Sequence, residues 1–161
     1  MTAVTFRPSD LNLNFDYPKM HIKFTTEQKI STEMLARNAE QIFKKNSPEK
    51  WGKTKDGKIE IHIISDQEIQ ELNKDHRGQD KPTDVLSWGF IDENLMAGEI
   101  IGEIYISNET AERQAQEKGH TLEDEILFLS AHGLLHIYGY DHETDEEEAE
   151  MDKLTEQLIA E

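Results

Sequence analysis

Short runs in which apolar and polar residues alternate predict the β-strands of this chain. The clearest run covers residues 59–64, where isoleucine occupies every second position from Ile59 to Ile63. Similar patterns predict three further strands, at residues 21–24, 84–90 and 99–106. Residues 92–98 are expected to form a loop, and residues 1–20, which show no clear period, are expected to be extended or loop structure.

Apolar residues spaced three or four positions apart predict the helices. One such stripe begins at Ser31 and should end near Asn46. Residues that favour helix termini predict four more helices: from Ser65 to near Gly78, from Ser107 or Asn108 to Lys118, from Thr121 onward and from Thr144 onward. Residues 47–58 contain Pro48, Gly52 and Gly57, and they are therefore expected to form a loop.

The helix predicted after Thr121 is apolar on nearly every side. Its apolar residues are Ile126, Leu127, Phe128, Leu129, Leu134, Leu135 and Ile137. A helix of this kind is stable when it is buried, so we expect it at the centre of the fold. Strand–helix–strand order with short loops favours an α/β or α+β sheet. We expect an α+β fold, with a single small mixed β-sheet packed by helices, in one domain that spans residues 1–161.

Three histidines lie at the end of this predicted helix and just beyond it. His132 and His136 are one helical turn apart in height and about 40° apart around the axis, so both rings can point to one spot. On a continuing helix His142 would lie roughly 240° away from His136. Gly139 can adopt the left-handed conformation that ends a helix, which would turn the chain and bring His142 back.

Three imidazoles and one open coordination position are typical of a catalytic zinc site. The sequence therefore predicts a zincin-like site in which His132, His136 and His142 bind one metal ion. Zinc is the expected ion, although other divalent transition metals also suit three imidazoles. The alternative is that these histidines are only polar groups of a helix and its following turn, and the full spacing makes that interpretation the weaker one.

The spacing matches the metzincin signature His-Glu-x-x-His-x-x-Gly-x-x-His at every position but one. Gly133 stands where those zinc peptidases have a glutamate. That glutamate is their general base. The chain therefore keeps the ligand set of a zinc peptidase without the residue that activates water for peptide hydrolysis.

A more specific pattern, His-Gly-x-Leu-His-x-x-Gly-Tyr-Asp-His, occupies residues 132–142. In this pattern the chain resembles the YbeY family of bacterial metal-dependent endoribonucleases. The resemblance runs from about Ile59 to the C-terminus. Shorter segments that also carry it are Leu72-Asn73 with Arg77, residues 81–87, Gly119-His120, Met151 and Glu156.

The resemblance implies a single-strand-specific, zinc-dependent endoribonuclease. It further implies a role in maturation of the 3′ end of small-subunit ribosomal RNA and in ribosome quality control. The implied partners are single-stranded RNA, ribosomal RNA, and the small ribosomal subunit with its assembly factors. The implied location is the cytoplasm, with no membrane association.

Arg77 is the residue to which the resemblance assigns a catalytic role. A guanidinium can hold a phosphate through two parallel hydrogen bonds. The residues alone favour an ordinary exposed arginine near a helix C-terminus, where a cation is stabilised, and the resemblance reverses that preference. Asp84 belongs to a family motif too, yet it could equally organise the turn into the next strand.

The roles of four other polar residues are less defined by the sequence. His120 could reach the cleft or cap the preceding helix, and Asp141 could accept a hydrogen bond from a histidine ring. Glu103 stands where the family usually has aspartate, which weakens any catalytic assignment to it. His62 is expected to be structural, because no residue close to it in the sequence completes a set of metal ligands.

The formal net charge of −17 argues against broad binding of nucleic acid. Basic residues lining the cleft, or a partner that delivers the RNA, would reconcile this charge with the implied function. The chain has no cysteine, so disulfides and thiolate metal sites are excluded. No segment approaches the roughly 20 apolar residues of a membrane span, and the first residues do not resemble a signal peptide. A soluble intracellular protein is therefore expected.

Three functions remain open at this point. The first is the metal-dependent endoribonuclease. The second is a zinc peptidase or amidohydrolase with the same ligands, which Gly133 in place of glutamate disfavours. The third is a noncatalytic ribosome-assembly factor stabilised by a metal, which the open coordination position disfavours.

Overall fold

The computed structural model describes residues 20–91 and 98–161, and these ranges contain four strands and six helices. In chain order they are β1 (His21–Phe24), α1 (Glu33–Asn46), α2 (Pro48–Thr54), β2 (Lys58–Ile64), α3 (Asp66–Arg77), β3 (Val85–Gly89), β4 (Ile100–Ser107), α4 (Asn108–Lys118), α5 (Leu122–Ile137) and α6 (Asp145–Ile159). The fold is α+β, as predicted. The expectations for residues 1–19 and 92–97 lie outside the described residues.

The four strands form one mixed sheet in the order β1-β2-β4-β3. β1 and β4 both run parallel to β2, whereas β3 runs antiparallel to β4. Ile59 and Ile61 of β2 are fully buried, whereas Glu60 and His62, which follow them in turn, are only partly buried. This alternation is what the sequence pattern of β2 predicts for a strand with one face in the core. β3 lies at the edge of the sheet.

α5 is buried at the centre of the fold, as its all-round apolar surface predicts. Leu134 and Leu135 are inaccessible to solvent, and the helix packs on β3, β4, α4 and α6. A Cβ atom at Gly133 would lie 2.9 Å from the Ile104 side chain of β4, so the missing side chain allows this close approach. No helix in the described ranges, α5 included, is long and apolar enough to cross a membrane.

The predicted helix termini agree with the structure at most positions. The hydroxyls of Ser65, Thr121 and Thr144 each accept a hydrogen bond of 3.1 Å from the backbone N–H three residues later, which begins α3, α5 and α6. Gly78 and Gly119 follow the last residues of α3 and α4 with φ angles of 67° and 73°. Glycine commonly follows the last residue of a helix because it adopts this left-handed conformation without strain.

The expectation that residues 47–58 form a loop is wrong, because they contain the helix α2. Pro48 is its first residue, where proline needs no N–H partner and its fixed φ suits a helix. Trp51 and Thr54, three positions apart, are buried and attach one side of α2 to the core. Proline and glycine favour loops in a sequence pattern, yet neither Pro48 nor Gly52 interrupts so short a helix.

Candidate metal centre

The three predicted ligands come together at the C-terminal end of α5. His132 and His136 lie on consecutive turns, and their Nε2 atoms are 3.2 Å apart. The ring centroid of His142 lies 5.5 Å from that of His132 and 5.2 Å from that of His136. Each ring offers one nitrogen, and these three nitrogens lie within 4.8 Å of one another. The three rings therefore face a common point.

Gly139 allows the turn that brings His142 back, as the sequence predicts. Its φ of 93° is in the left-handed region, where a side chain would be strained. Its N–H donates to the carbonyl oxygen of His136 at 3.0 Å, and the N–H of Tyr140 donates to that of Leu135 at 3.1 Å. These bonds end the helix and reverse the chain within a few residues.

Residues of α1 and α2 anchor the turn, and the sequence did not predict these contacts. The ammonium of Lys50 donates to the carbonyl oxygen of Tyr138 at 3.1 Å. The ring of Tyr138 is buried and stacks on Phe43 with 3.7 Å between centroids. Thr54 donates its hydroxyl to the carbonyl oxygen of Lys50, so the Tyr138 hydroxyl donates to Thr54 Oγ1, at 2.5 Å. Polar residues within a predicted loop gave no sign of these contacts.

Burial favours the neutral form of the His132 and His136 rings. Burial first, and then the neighbouring His136 and His142, lower the pKa of His132 to about 4. Burial, followed by the charge of His142, also lowers the pKa of His136. Neutral imidazole is the form that binds a metal. The donor set therefore fits a divalent transition metal ion such as zinc.

The ring of His132 is oriented by packing more than by hydrogen bonds. Its Nδ1 atom is buried and has no hydrogen-bond partner among the described residues. Phe128, one turn earlier on α5, stacks on the ring with 6.4 Å between centroids. Metal-binding histidines usually donate the second ring N–H to an acceptor. His132 has no such acceptor among the described residues.

The three histidines line a cleft of about 780 Å³. Its walls are the edge strand β3, the turn after α5, and the beginning of α6. Charged residues in its lining are Arg77, Asp84, Asp141, Glu148 and Asp152. Carboxylates thus outnumber cations in this cleft. A bound metal ion would supply positive charge beside the arginine.

Arg77 is the last residue of α3, and its exposed side chain lines the cleft. No hydrogen bond or ion pair holds its guanidinium among the described residues. Its positive charge contributes to the lowered pKa of His136, so the two groups lie close enough to interact electrostatically. By contrast, Arg113 is paired with Asp66 at 3.0 Å. Arg77 is therefore available to a ligand in the cleft.

The two aspartates of the prediction also line the cleft, and both bind backbone amides. Asp84 Oδ1 accepts from the N–H of Val85 at 2.7 Å, while its Oδ2 accepts from Gln114 at 3.2 Å. Asp141 Oδ1 accepts from the backbone N–H of His142 at 2.8 Å. Asp84 thus organises the entry into β3, and Asp141 supports the backbone of His142. The Asp141 contact is to the backbone, where the sequence had suggested a ring N–H.

His120 lies at the α4–α5 corner and is absent from the lining of the cleft. Its Nε2 atom contacts the carboxylate of Glu125, which is fully buried. Lys118 pairs with the same carboxylate at 2.9 Å. These contacts give His120 a place in joining the two helices, and they do not bring it to the three histidines.

The arrangement suits an anionic ligand. A divalent ion held by three neutral imidazoles keeps its full positive charge, and Arg77 adds another in the lining of the same cleft. Phosphate groups are bound by this combination of metal ion and guanidinium in many enzymes. Position 133, where a zinc peptidase would have its catalytic glutamate, is a glycine that packs against Ile104.

Comparison with known proteins agrees with the site. A family model described as Endoribonuclease YbeY matches residues 21–161. The protein of that description from Aquifex aeolicus is 42% identical over 122 residues, which cover 71% of this chain and 81% of the relative. The one from Acholeplasma laidlawii is 37% identical over 140 residues, which cover 87% and 95%.

A solved structure is also similar to the chain. The solution structure of a Thermotoga maritima protein has a TM-score of 0.48 and is 30% identical, and the alignment covers 86% of this chain and 88% of that one. The assignment of a family rests on the sequence match, whose range of residues 21–161 spans all three histidines and Arg77. By that match this chain belongs to the YbeY family of endoribonucleases.

Proposed function

We propose that residues 1–161 act as a single-domain, zinc-dependent endoribonuclease that is specific for single-stranded RNA. Family membership supports an endoribonuclease role, since the matching family model covers residues 21–161. The observation that carries the rest is the convergence of three histidine side chains and the unpaired Arg77 in one cleft. A metal ion in such a site polarises a phosphoryl oxygen and makes water more acidic.

The chain's own residues define where a phosphodiester would bind. Arg77 would hold the phosphate oxygens through its two-pronged donor group and stabilise the charge that develops on them. β3, as the edge strand, forms one wall of the cleft. A cleft beside an edge strand suits an extended single strand.

A peptidase is the less supported alternative. Position 133 carries no carboxylate, and a Cβ there would already lie 2.9 Å from Ile104. A glutamate at this position would therefore require the Ile104 side chain or α5 to shift. The carboxylates that do line the cleft come from other elements, among them Asp84 of the β3 entry and Asp152 of α6.

Three substrates separate the possible functions. The purified chain is incubated with single-stranded RNA, the matching duplex RNA and casein, each with and without a chelator. We expect cleavage of the single strand alone, and its loss with the chelator. Cleavage of casein would favour the peptidase, equal cleavage of the duplex would contradict strand selectivity, and no cleavage at all would favour a noncatalytic assembly factor.

We further propose that the RNA substrate is ribosomal and that the protein acts in the cytoplasm. The proposed roles are maturation of the 3′ end of small-subunit ribosomal RNA and ribosome quality control, with the small subunit and its assembly factors as partners. The support is the resemblance of residues 132–142 to the family pattern. Small subunits that carry a 3′-extended RNA should be trimmed by the wild type and left intact by His136→Ala. Unchanged precursor with both proteins would contradict this role.

A further inference from the structure

A second group of metal-binding side chains lies on the β-sheet. Glu60 and His62 are on β2, and Glu103 is on β4 directly opposite Glu60. Each residue offers one ligand atom, and the three atoms lie within 4.8 Å of one another. The expectation that no ligand set forms around His62 is therefore wrong. The sequence did not show it because Glu103 is brought near by strand pairing.

This group is separate from the three-histidine cleft. Ile104, which follows Glu103 on β4, packs against Gly133 of α5. Successive side chains of a strand point to opposite faces of the sheet. Glu103 therefore points away from α5. None of the three residues lines the cleft of the metal centre.

The tautomer of His62 leaves a free lone pair between the two carboxylates. Its Nδ1 atom lies 3.1 Å from the hydroxyl oxygen of Thr25. That hydroxyl donates to the carbonyl oxygen of Ile61 at 3.4 Å, so it accepts the ring N–H at Nδ1. In the neutral ring, Nε2 is then the nitrogen without a proton. It is shielded from solvent and has no hydrogen-bond partner among the described residues.

Each carboxylate has one oxygen held by a neighbour and one facing His62. Glu60 Oε1 pairs with Lys23 at 3.7 Å, and Glu103 Oε2 accepts from the hydroxyl of Tyr105 at 3.3 Å. The remaining oxygens, Glu60 Oε2 and Glu103 Oε1, each lie 3.8 Å from Nε2 of His62. With His62 neutral, three electron-pair donors face one point, and a cation placed there relieves their repulsion.

We propose that Glu60, His62 and Glu103 bind a second divalent transition metal ion, with zinc as the ion to test. Imidazole nitrogens and carboxylate oxygens are both zinc ligands, and three protein ligands are the number found at zinc sites that keep an open position. The ring of Tyr105 stacks on His62 with 4.4 Å between centroids, and Thr25 fixes the ring from its other edge. An ion there links β2 to β4 and stabilises the folded state, because the unfolded chain does not hold the three ligands together.

The test counts the zinc ions that the metal-stripped chain binds. Equilibrium dialysis is done at about 0.15 M salt, which weakens diffuse binding to exposed acidic groups. We expect two tightly bound ions in the wild type and one in His62→Gln. One should also remain in the double variant His132→Ala/His136→Ala. The control His21→Gln changes an exposed histidine of the adjacent strand β1 and should retain two.

A positioning role for Thr25 gives a second readout. Thr25→Val removes the acceptor of the ring N–H, and loss of such a partner typically weakens metal binding by about 10–100-fold. The double variant that lacks the three-histidine site isolates this effect. In that background zinc should also raise the melting temperature, and His62→Gln should abolish the rise. If His62→Gln does not fold, Glu103→Gln provides the same comparison.

Several results would overturn the proposal. One is uptake of a single ion by the wild type, and another is retention of two ions by His62→Gln. Failure of the double variant to bind zinc at all would do the same. None of these readouts uses RNA cleavage, so the second site is tested independently of the proposed nuclease function.

Discussion

At the scale of single residues, the described lining of the cleft holds one arginine and several carboxylates in different environments. Asp84 is fully engaged with backbone and side-chain donors, and Asp141 supports the backbone of His142. Arg77 has no such partner among the described residues. An arginine that stabilises the fold is normally paired, so an unpaired one at the cleft is available for substrate.

Replacing Arg77 by alanine should therefore affect cleavage and leave the fold intact. Loss of one preorganised donor typically lowers the rate by about 10²-fold or more. Metal content and melting temperature should stay close to wild type. Arg77→Lys should recover part of the loss, because an ammonium cannot make the planar two-point contact.

Arg113→Ala is the matched control, because Arg113 is paired with Asp66 outside the cleft lining. It should cleave RNA at nearly the wild-type rate. If Arg77→Ala also cleaves single-stranded RNA normally, Arg77 is an ordinary surface arginine. The phosphate contact would then have to come from Lys74 or Lys81.

The buried histidines predict how the stability of the metal-free protein depends on pH. The pKa of His132 is about 4 in the folded chain, against an ordinary value of 6.5. Between these values the unfolded chain binds a proton that the folded chain does not. The free energy of unfolding should therefore decrease as the pH falls from about 6.5 to 4, and this contribution should level off below that.

Urea denaturation in the presence of a chelator measures this effect. The lowered pKa of His136 acts in the same direction. His132→Gln should thus show a shallower decrease across the same interval. A pH dependence identical to wild type would mean that His132 is not protected from protonation in the folded chain.

At the scale of elements, the sequence predicted the helices and strands that have a clear local pattern of apolar residues. α5 and β2 carry strong apolar periods, and Gly139 marked the turn that returns His142. α2 was missed because Pro48 and Gly52 resemble loop residues, and its buried contacts lie with distant parts of the chain. The second ligand group was missed for the same reason, since Glu103 reaches His62 through strand pairing.

α5 should be among the elements least tolerant of truncation. Leu134 is fully buried, so Leu134→Ala should lower the free energy of unfolding by about 2–5 kcal/mol. Leu127 is only partly buried on the same helix, so Leu127→Ala is the control and should lower the free energy of unfolding by less. Urea denaturation of both variants measures the difference. A cost for Leu134→Ala below about 0.5 kcal/mol, the range of surface substitutions, would place this leucine outside the core.

α2 should influence the metal centre through the turn that it holds. Lys50→Met keeps the aliphatic stem and removes the donor to the carbonyl oxygen of Tyr138. Loss of such indirect support should weaken zinc binding at the three histidines by about 10-fold. Competition with a zinc indicator measures the affinity. Lys53→Met, on an exposed part of α2, should bind zinc as wild type does, and equal affinity in both variants would contradict a role for Lys50.

At the scale of the whole molecule, the charge limits how RNA can bind. The chain carries a formal net charge of −17, and the lining of the cleft includes four carboxylates and one arginine. The sequence allowed two ways for so acidic a chain to bind RNA: basic residues in the cleft, or a partner that delivers the RNA. Arg77 is the one lysine or arginine in the described lining of the cleft. Binding of a polyanion therefore depends on the charge of a bound metal ion, or on a partner that delivers the RNA.

The most direct test of the account is cleavage of single-stranded RNA as a function of zinc at the three histidines. The protein is stripped of metal and reloaded in steps, in the His62→Gln background so that the second group does not bind. We expect no cleavage without metal, and a rate that rises in proportion to zinc until one ion is bound per chain. His136→Ala should stay inactive at every zinc concentration. Cleavage by the stripped protein, or by His136→Ala at the wild-type rate, would contradict a metal-dependent nuclease centred on these histidines.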